Sequence, residues 1–350
     1  MFAVRALIVR IITMLAVLLV VQILVVITLG ATGYSDRMLE AIIGEAIRGM
    51  RSTLAETIRD PDALERALRT QRQELAGSYG LDRPWYARMP RMVLRVFSLD
   101  LGEAHTLRSS KGSNRVAEIV LERIPNSMLL LTTSLFFTAI IGITVGVRLS
   151  SRPGTTVDRA VSSFSAISFA LPAWWVGILL ILVLAFRFPI FPSGGMYSAP
   201  PPESGFPRFF DLLWHALLPI FTLVLVSLGP YIYVVRTMTL NVAQGDHVTI
   251  ARAKGLSEGM VSRRHVLRVA APPIVTGLIM GFAGTLGGSI LVETVFNWQG
   301  MGRLYYEAIA GTPDEMVIVA LTFVYTLLYV VARIILEVLY IFLDPRVRYR

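Results

Sequence analysis

Apolar and polar residues alternate along this chain in long blocks rather than in the short periods of a soluble fold. Six apolar blocks, 11–30, 124–147, 160–186, 212–235, 269–292 and 316–343, are separated by polar and often basic intervals. A helix needs about 20 residues to cross the hydrocarbon core of a bilayer. Each block is long enough, so the pattern predicts six transmembrane helices. Arg5 and Arg10 precede the first block as in a secretory signal, but its apolar run exceeds the usual length of about 7–15 residues. It is read as an uncleaved first span.

The intervals carry patterns of their own. Leu39, Ile42, Ile43, Ala46, Ile47, Met50 and Leu54 recur at helical spacing, which predicts an amphipathic helix. Asp60-Pro61 supplies an acidic cap and a first-turn proline for a second helix, continued by Leu64 and Leu68 and ended by Gly77 and Gly80. The interval 189–207 is rich in Pro, Gly and Ser and predicts an irregular surface loop. The interval from Asp246 to Pro273 is basic and more organised. Lys254-Gly255 breaks it into two short helical pieces. Ala251 and Ala253 keep the first piece slim on one face, and Gly255 permits a turn or a close approach. Arg263, Arg264, His265 and Arg268 follow, and Pro272-Pro273 opens the next block. Composition alone leaves two readings: a positive loop that fixes topology, or a surface shaped for a partner.

Composition places the whole chain in the membrane. Its 350 residues are 54% hydrophobic and 16% charged, with a mean hydropathy of +0.63, the profile of a polytopic membrane protein. With no cysteine there is no disulfide framework and no thiolate metal site. A net charge of +9 raises the question of nucleic acid. The arginines, however, lie at the ends of apolar blocks and not on one face interleaved with aromatics. The lipid bilayer is therefore the expected partner, and nucleic acid is not. With the N-terminus inside, the short inner segments hold Arg5, Arg10, Arg148, Arg152, Arg159, Arg236, the cations of the 246–268 interval, Arg346, Arg348 and Arg350. The short outer loops hold Arg187, Arg208 and Arg303. That asymmetry puts both termini in the cytoplasm.

Residues that carry chemistry are few. There is no Gly-x-x-x-x-Gly-Lys-Ser/Thr loop, so this chain is not expected to bind ATP. His105, His215, His247 and His265 lack metal-ligand spacing, and no metal site is expected. Gly287-Gly288-Ser289 reads as helix packing rather than as an intramembrane nucleophile. Gly277/Gly281 and Gly284/Gly288 form small-xxx-small pairs, for static packing or for a helix that slides or lines a path. Pro172 inside the third block removes one helical hydrogen bond and predicts a kink. Trp174 and Trp175 beside it are packing anchors or path-lining groups. Glu293, at the end of the fifth block, is a solvated helix end or part of a gate. Arg333 and Glu337 are four apart, share one helix face and can pair. We expect a structural pair near the inner boundary, not a proton relay.

Several of these groups, in this order, resemble the dipeptide/oligopeptide branch of ABC importer permeases. Asp246, Ala251, Arg252, Ala253, Lys254, Gly255, Leu256, His265, Leu267, Arg268 and Pro272 follow that branch's coupling-loop pattern, D-Y-x-x-x-A-R-A-K-G-L, then H-x-L-R, then a proline. His247 stands at the aromatic position, and Thr249 and Ile250 replace the Glu and Ala of the general importer motif. Gly80-Leu81-Asp82-Arg83-Pro84 and Leu99-Asp100-Leu101-Gly102 resemble outer segments of the family, with Leu99 where a glycine is usual. The family's Pro-Gly-Asp-Pro after the first span is absent. Pro172, Trp175 and Gly177 resemble S-x-P-x-F-W-x-G. The run from Glu293 through Phe296 and Trp298 to Gly302 resembles E-T-V-F-x-W-P-G-L-G, with Gln299 for the proline. Glu337, Tyr340, Asp344, Pro345 and Arg346 resemble the C-terminal pattern.

The resemblance implies an all-α, six-helix chain with the type I ABC importer permease fold. Residues 1–30 would hold the N-terminus and first span, and 31–120 an extracytoplasmic helical insertion. Residues 121–343 would form the core, with coupling loop 243–271, and 344–350 a cytoplasmic tail. Asp246, Ile250, Ala251, Arg252, Ala253, Lys254, Gly255 and Leu256 would meet an ATPase. Pro172, Trp174, Trp175, Glu293, Phe296 and Trp298 would stand beside the path or its outer gate. The implied partners are a second permease, two ATPase subunits that bind ATP and Mg, and an extracytoplasmic solute-binding protein. The implied solute is a di- or oligopeptide; oligosaccharides, nickel and glutathione are the other solutes such a machine would carry. An ATP-independent secondary transporter would instead need buried ionisable groups near the midplane. Only His215 and the Arg333/Glu337 pair offer themselves.

Overall fold

The computed structural model describes residues 2–203, 205–311 and 314–343, with the backbone alone for 2–7, 282–288, 311 and 339–343. The terminal residues Asp344, Pro345 and Arg346 and the side chain of Tyr340 therefore lie outside the description. Among the described residues thirteen α-helices follow one another: α1 (Phe2–Ala31), α2 (Tyr34–Thr57), α3 (Pro61–Ser78), α4 (Trp85–Phe97), α5 (Val116–Ser150), α6 (Thr156–Ala170), α7 (Ala173–Ile181), α8 (Gly205–Ala243), α9 (Asp246–Ala253), α10 (Glu258–Met260), α11 (Arg268–Val295), α12 (Met301–Tyr306) and α13 (Glu315–Leu343). Wider π-helical turns follow α7, α10 and α12, at Leu182–Arg187, Val261–Leu267 and Glu307–Gly311. Among the described residues, α1, α5, α8 and α13 are long and apolar enough to cross a bilayer, and α6 with α7 has the length and composition for a fifth, bent span when the two are taken together. The 28-residue α11 has the length for a sixth.

The third block departs from the sequence reading. It is not a kinked helix but two helices set at 98°. Leu171 sits at φ −91°, ψ 125° and Pro172 at φ −65°, ψ 133°, both extended. Proline disfavours the helical region for the residue before it. Here that steric effect acts together with the missing N–H and breaks the helix outright.

The described residues form two compact units. One is built on Arg123–Leu304 and takes in the chain from Val331 onward; the other is built on Val9–Glu122 and Tyr305–Val330. In the second, Leu18 and Val26 of α1, Val93 and Val96 of α4, and Val319 and Phe323 of α13 close one core. Phe97 meets Phe323 edge-on at 5.6 Å between centroids. As predicted, α2 is amphipathic, with Leu39 and Ile43 buried. Asp60 caps α3, its side chain accepting from the Asp62 N–H at 3.2 Å, with Pro61 in the first turn. Gly80, at φ 73°, ends the helix, whereas Gly77 is still inside it. Asp314 leads into α13 and accepts the His105 and Thr106 N–H groups at 2.6 and 2.9 Å. The loop 98–102 therefore starts from an anchored neighbourhood. Within it, Asp100 accepts from Arg95 Nε at 3.0 Å and from the Gly102 N–H at 3.1 Å. The Arg95 guanidinium holds that carboxyl below its ordinary range.

In the first unit, glycines and serines let backbones meet. A Cβ on Gly229 would lie 2.7 Å from Ser168 and 2.8 Å from the Ser165 backbone; one on Gly146 would lie 2.8 Å from Val235. Gly142 faces the Tyr231 ring in the same way. Of the two pairs singled out in the sequence, Gly284/Gly288 lies outside the described side chains, and Gly277/Gly281 does not make such a crossing: among the described residues nothing lies within 4 Å of either Cβ position. A second tie between α6 and α8 is ionic. Asp158, 3% exposed, is paired twice with Arg236, through Nε and through Nη2 at 2.7 Å. It also accepts the Gly154 N–H at 2.9 Å, and its own N–H donates to the Thr155 cap at 3.3 Å.

Two measurements follow. Leu99 sits at φ 59° with its side chain mostly exposed, a left-handed conformation that costs a side-chain-bearing residue about 1–2 kcal/mol. Leu99→Gly is expected to stabilise the protein by about 0.5–1 kcal/mol after the added chain entropy, read as a higher thermal midpoint in detergent. A lower midpoint would contradict the strain. Asp158→Leu is expected to cost about 2–3 kcal/mol by leaving the half-buried Arg236 unpaired, somewhat less than for a fully buried pair, and Asp158→Leu with Arg236→Met to recover most of it. A double variant as unstable as the single one would show that the pair is not the tie.

Candidate functional site

The basic interval between α8 and α11 folds on itself. Val248 and Ala251 of α9 pack on Val261 and Val266 from the π-helical turn; all four are buried, and Val242, Ala243 and Leu256 close the edge. A small apolar core is unusual for a loop whose only task is to carry charge. Ala251 is 3% exposed and belongs to this core. The slim alanine face predicted from the sequence thus corresponds only in part to the outer surface. The smallness of Ala251 serves the loop's own closure, and Ala253 alone keeps the outside slim.

The turn at Gly255 follows from backbone geometry. Gly255 has φ 75° and open space around its Cβ position. Its N–H donates to Arg252 O at 2.9 Å, and the Leu256 N–H reaches back to Ala251 O at 3.4 Å. These two bonds, with Leu256 packing under Ala251, make a Schellman cap. Arg252 then clasps Glu258 across the turn, Nε to Oε1 at 2.9 Å and Nη2 to Oε2 at 3.3 Å. Both side chains are well exposed, so this pair contributes only about 0.2–1 kcal/mol; the apolar core and the cap do most of the holding. His247, at the family's aromatic position, lies over Gly245 and brings Nε2 to 3.2 Å from His265 O. What remains outside is Asp246 in the first turn, Ile250 at 55% exposure, Ala253 and Lys254. An apolar knob thus sits among charges on a short capped helix.

The loop is rigidly joined to two long helices. Only Gln244 and Gly245 separate α8 from α9, and the π-helical turn runs into α11 without a gap. Arg236, the α8 member of the Asp158–Arg236 pair, lies a few turns before α9. Sequence reasoning counted Arg236 as a topological charge and passed over Asp158. The available signal was that Asp158 is the one acid in the interval 148–159.

At the other end of α11, Glu293 is fully buried rather than solvated. One carboxylate oxygen accepts from Ser127 Oγ at 2.7 Å and Ser289 Oγ at 3.1 Å. The other accepts the Gly302 and Arg303 N–H groups at 2.8 and 3.1 Å. Ser127 Oγ in turn accepts the Met301 N–H at 2.8 Å. Trp298 Nε1 donates to Asn126 O at 3.0 Å, and Asn126 Nδ2 donates to Gln299 O at 2.6 Å. Phe296 is buried against Gly177, whose Cβ would come within 2.9 Å of the ring. The segment 293–304 is thus wrapped around one carboxylate. Asn126 and Ser127 were missed in the sequence, where they read as two more polar residues in an apolar block.

The six residues marked for a path or gate fall into two groups. Pro172, Trp174 and Trp175 present accessible surface, the two tryptophans at 38% and 42%. Glu293, Phe296 and Trp298 are buried in the chain's own core. Arg333 brings Nη1 to 3.5 Å from Met280 Sδ, and Glu337 is buried.

Comparison with known proteins bears on these features. Residues 139–349 match the model of a family described as binding-protein-dependent transport system inner membrane component. The oligopeptide transport system permease protein AppB of Bacillus subtilis is 32% identical over 278 residues, 79% of this chain and 85% of that one. The glutathione transport system permease protein GsiC of Salmonella paratyphi A is 28% identical over 296 residues, 85% and 89% of the two chains. A chain from a structure of inward-facing conformations of the MetNI methionine ABC transporter superposes with a TM-score of 0.48 at 19% identity, covering 63% of this chain and 95% of that one. With a family match over more than half its length, this chain is a multi-pass membrane protein of the binding-protein-dependent transport system inner membrane component family, the permease component of an ABC transporter.

Proposed function

We propose that the chain is one of two permease subunits of an ATP-driven importer for di- and oligopeptides, with both termini and the 246–268 loop in the cytoplasm. The observation that carries this reading is the folded loop. A segment that only fixes topology needs cations; this one adds an apolar core, a left-handed glycine cap and an exposed Ile250. In the proposed assembly α9 seats in a groove on an ATPase subunit, with Ile250 as the apolar contact and Arg252 and Lys254 around it. Two such ATPases bind ATP and Mg. An extracytoplasmic binding protein delivers the solute; the peptide class is supported by the relative named for oligopeptide transport, and the relative named for glutathione transport supports glutathione as the second reading.

The chain's part in this cycle is mechanical. A displacement of α9 acts on α8 through two residues and on α11 through a continuous helical turn. Asp158–Arg236 passes the movement of α8 to α6. Pro172, Trp174 and Trp175 are assigned to the accessible surface beside the path. Glu293, Phe296 and Trp298 support the outer element from beneath, and Arg333 and Glu337 keep a structural role.

Ile250→Asp and Gly255→Trp are each expected to cut peptide uptake by at least about tenfold, a barrier change of about 1.4 kcal/mol, while the chain still accumulates in the membrane. Uptake at the wild-type rate would remove the coupling role. The tagged chain, isolated from native membranes in mild detergent, is expected to bring a second permease and two ATPases with it. Isolation of this chain alone, under conditions that keep other transporters intact, would refute the assembly.

A further inference from the structure

In the second unit α4 has two apolar sides, and the chain covers only one of them. Val93 and Val96, with Met89 and Met92, face the core shared with α1 and α13. The other side carries Tyr86, Pro90, Leu94 and Phe97, at the spacings of four and three that share one face of a helix. Tyr86 is 63% exposed and Leu94 67%, and Leu99, just past the helix, is 68% exposed at a left-handed φ of 59°. Arg91 borders this side; it is exposed and, among the described residues, has no ion pair or hydrogen bond.

Contacts along α13 give the depth of this side. Gly102 lies against the first turn of α13, where a Cβ on it would come within 2.6 Å of Met316 Cε. Phe97 meets Phe323, seven residues and about 10 Å further along the same helix. At its other end α4 starts with the Trp85 ring laid on Gly30, in the last turn of α1. The chain therefore leaves the end of α1, runs down through α4 to the level of Phe323, and returns to the start of α13 at Gly102. Leu94, Phe97 and Leu99 lie on that descent and its turn, beside two helices long and apolar enough to cross a bilayer. Amphipathic helices at a membrane surface bury their apolar face about 5–10 Å into the boundary between headgroups and acyl chains, the same depth. The pairing of Arg95 with Asp100 leaves neither charge alone at the turn.

We infer that α4 and the turn 98–101 form an interfacial element whose open side is covered by phospholipid, in the leaflet at which α1 ends. Acyl chains lie against Leu94, Phe97 and Leu99, while Tyr86 and Arg91 stand at the level of the headgroups, the aromatic ring at the interface and the guanidinium by the phosphates. The occupant is lipid because the side continues along α1, which itself exposes Leu15, Val20 and Leu24, and because an unpaired cation edges it. Lipid does not relieve the strain at Leu99, since the same side chain is coated in the unfolded chain too; it fixes where the segment lies. The inference requires only that α1 and α13 cross the membrane, so it stands apart from the assignment of solute and ATPase.

The chain has no cysteine, so single nitroxide labels report the occupant directly. Leu94→Cys and Leu99→Cys are made in the full chain, with Lys111→Cys in the polar loop before α5 as a reference. Each labelled chain, with whatever partners accompany it, is reconstituted into vesicles of phosphatidylethanolamine and phosphatidylglycerol; the unsubstituted preparation gives the background. Relaxation by oxygen, which concentrates in hydrocarbon, is compared with relaxation by a neutral nickel chelate, which stays in water. At both leucine positions the effect of oxygen is expected to persist and that of the chelate to be lost, while Lys111→Cys responds to the chelate. A chelate effect at either leucine position equal to that at Lys111→Cys would put the side in water and overturn the inference. Shelter from both reagents at either position would show that protein covers the side, and would overturn it equally. If one leucine variant does not accumulate, the other decides.

Discussion

In hydrocarbon a peptide N–H or C=O without a partner costs several kcal/mol, because no water is there to replace it. That constraint organises the first unit. Every place where a helix stops must supply substitutes for the bonds it gives up. At the start of α12 the substitute is a single carboxylate, carried by the last turn of α11: Glu293 accepts two backbone N–H groups and two hydroxyls, and the chain turns around it. At the start of α6 it is Asp158, which takes the Gly154 N–H and a guanidinium together. At the end of α9 it is a glycine that turns left and returns two N–H groups to the last turn. The acidic and glycine positions that look functional in the sequence are, first of all, the partners of interrupted backbones.

The same constraint separates two kinds of polar residue. Glu293 and Asp158 are saturated; they fix the geometry of the segment 293–304 and of the α6–α8 contact. Thr138 and Tyr231, whose hydroxyls have no partner among the described residues, are not. Both kinds lie in the same unit. Satisfaction of hydrogen bonds, not composition, tells them apart.

Much of this was legible in the sequence. Five of the six apolar blocks lie in long helices, the Asp60-Pro61 start is a true cap, and Gly255 ends α9 as its spacing required. The family was readable from the loop 246–273 because its small, basic and turn residues stand in a fixed order. Less legible was anything that depends on a distant partner. Asp158 and Arg236 are 78 positions apart, Ser127 and Glu293 166, and no local pattern joins them. Periodicity places Ala251 on a face but cannot say which face is inside when the loop closes on its own core. Likewise Pro172 announced an irregularity, while the 98° angle comes from what packs on either side of it.

That break has a consequence for how force travels. A straight rod moved at one end moves at the other. Here α6 is tied to α8 by Asp158–Arg236 and by Ser168, whose hydroxyl donates to the Leu225 and Val226 carbonyls, whereas α7 is tied through Gly177 to Phe296. The third apolar block is therefore built as two arms, one tied to α8 and the other to the segment 293–304. Turning the first arm swings the second about Leu171-Pro172 instead of pushing it along its axis.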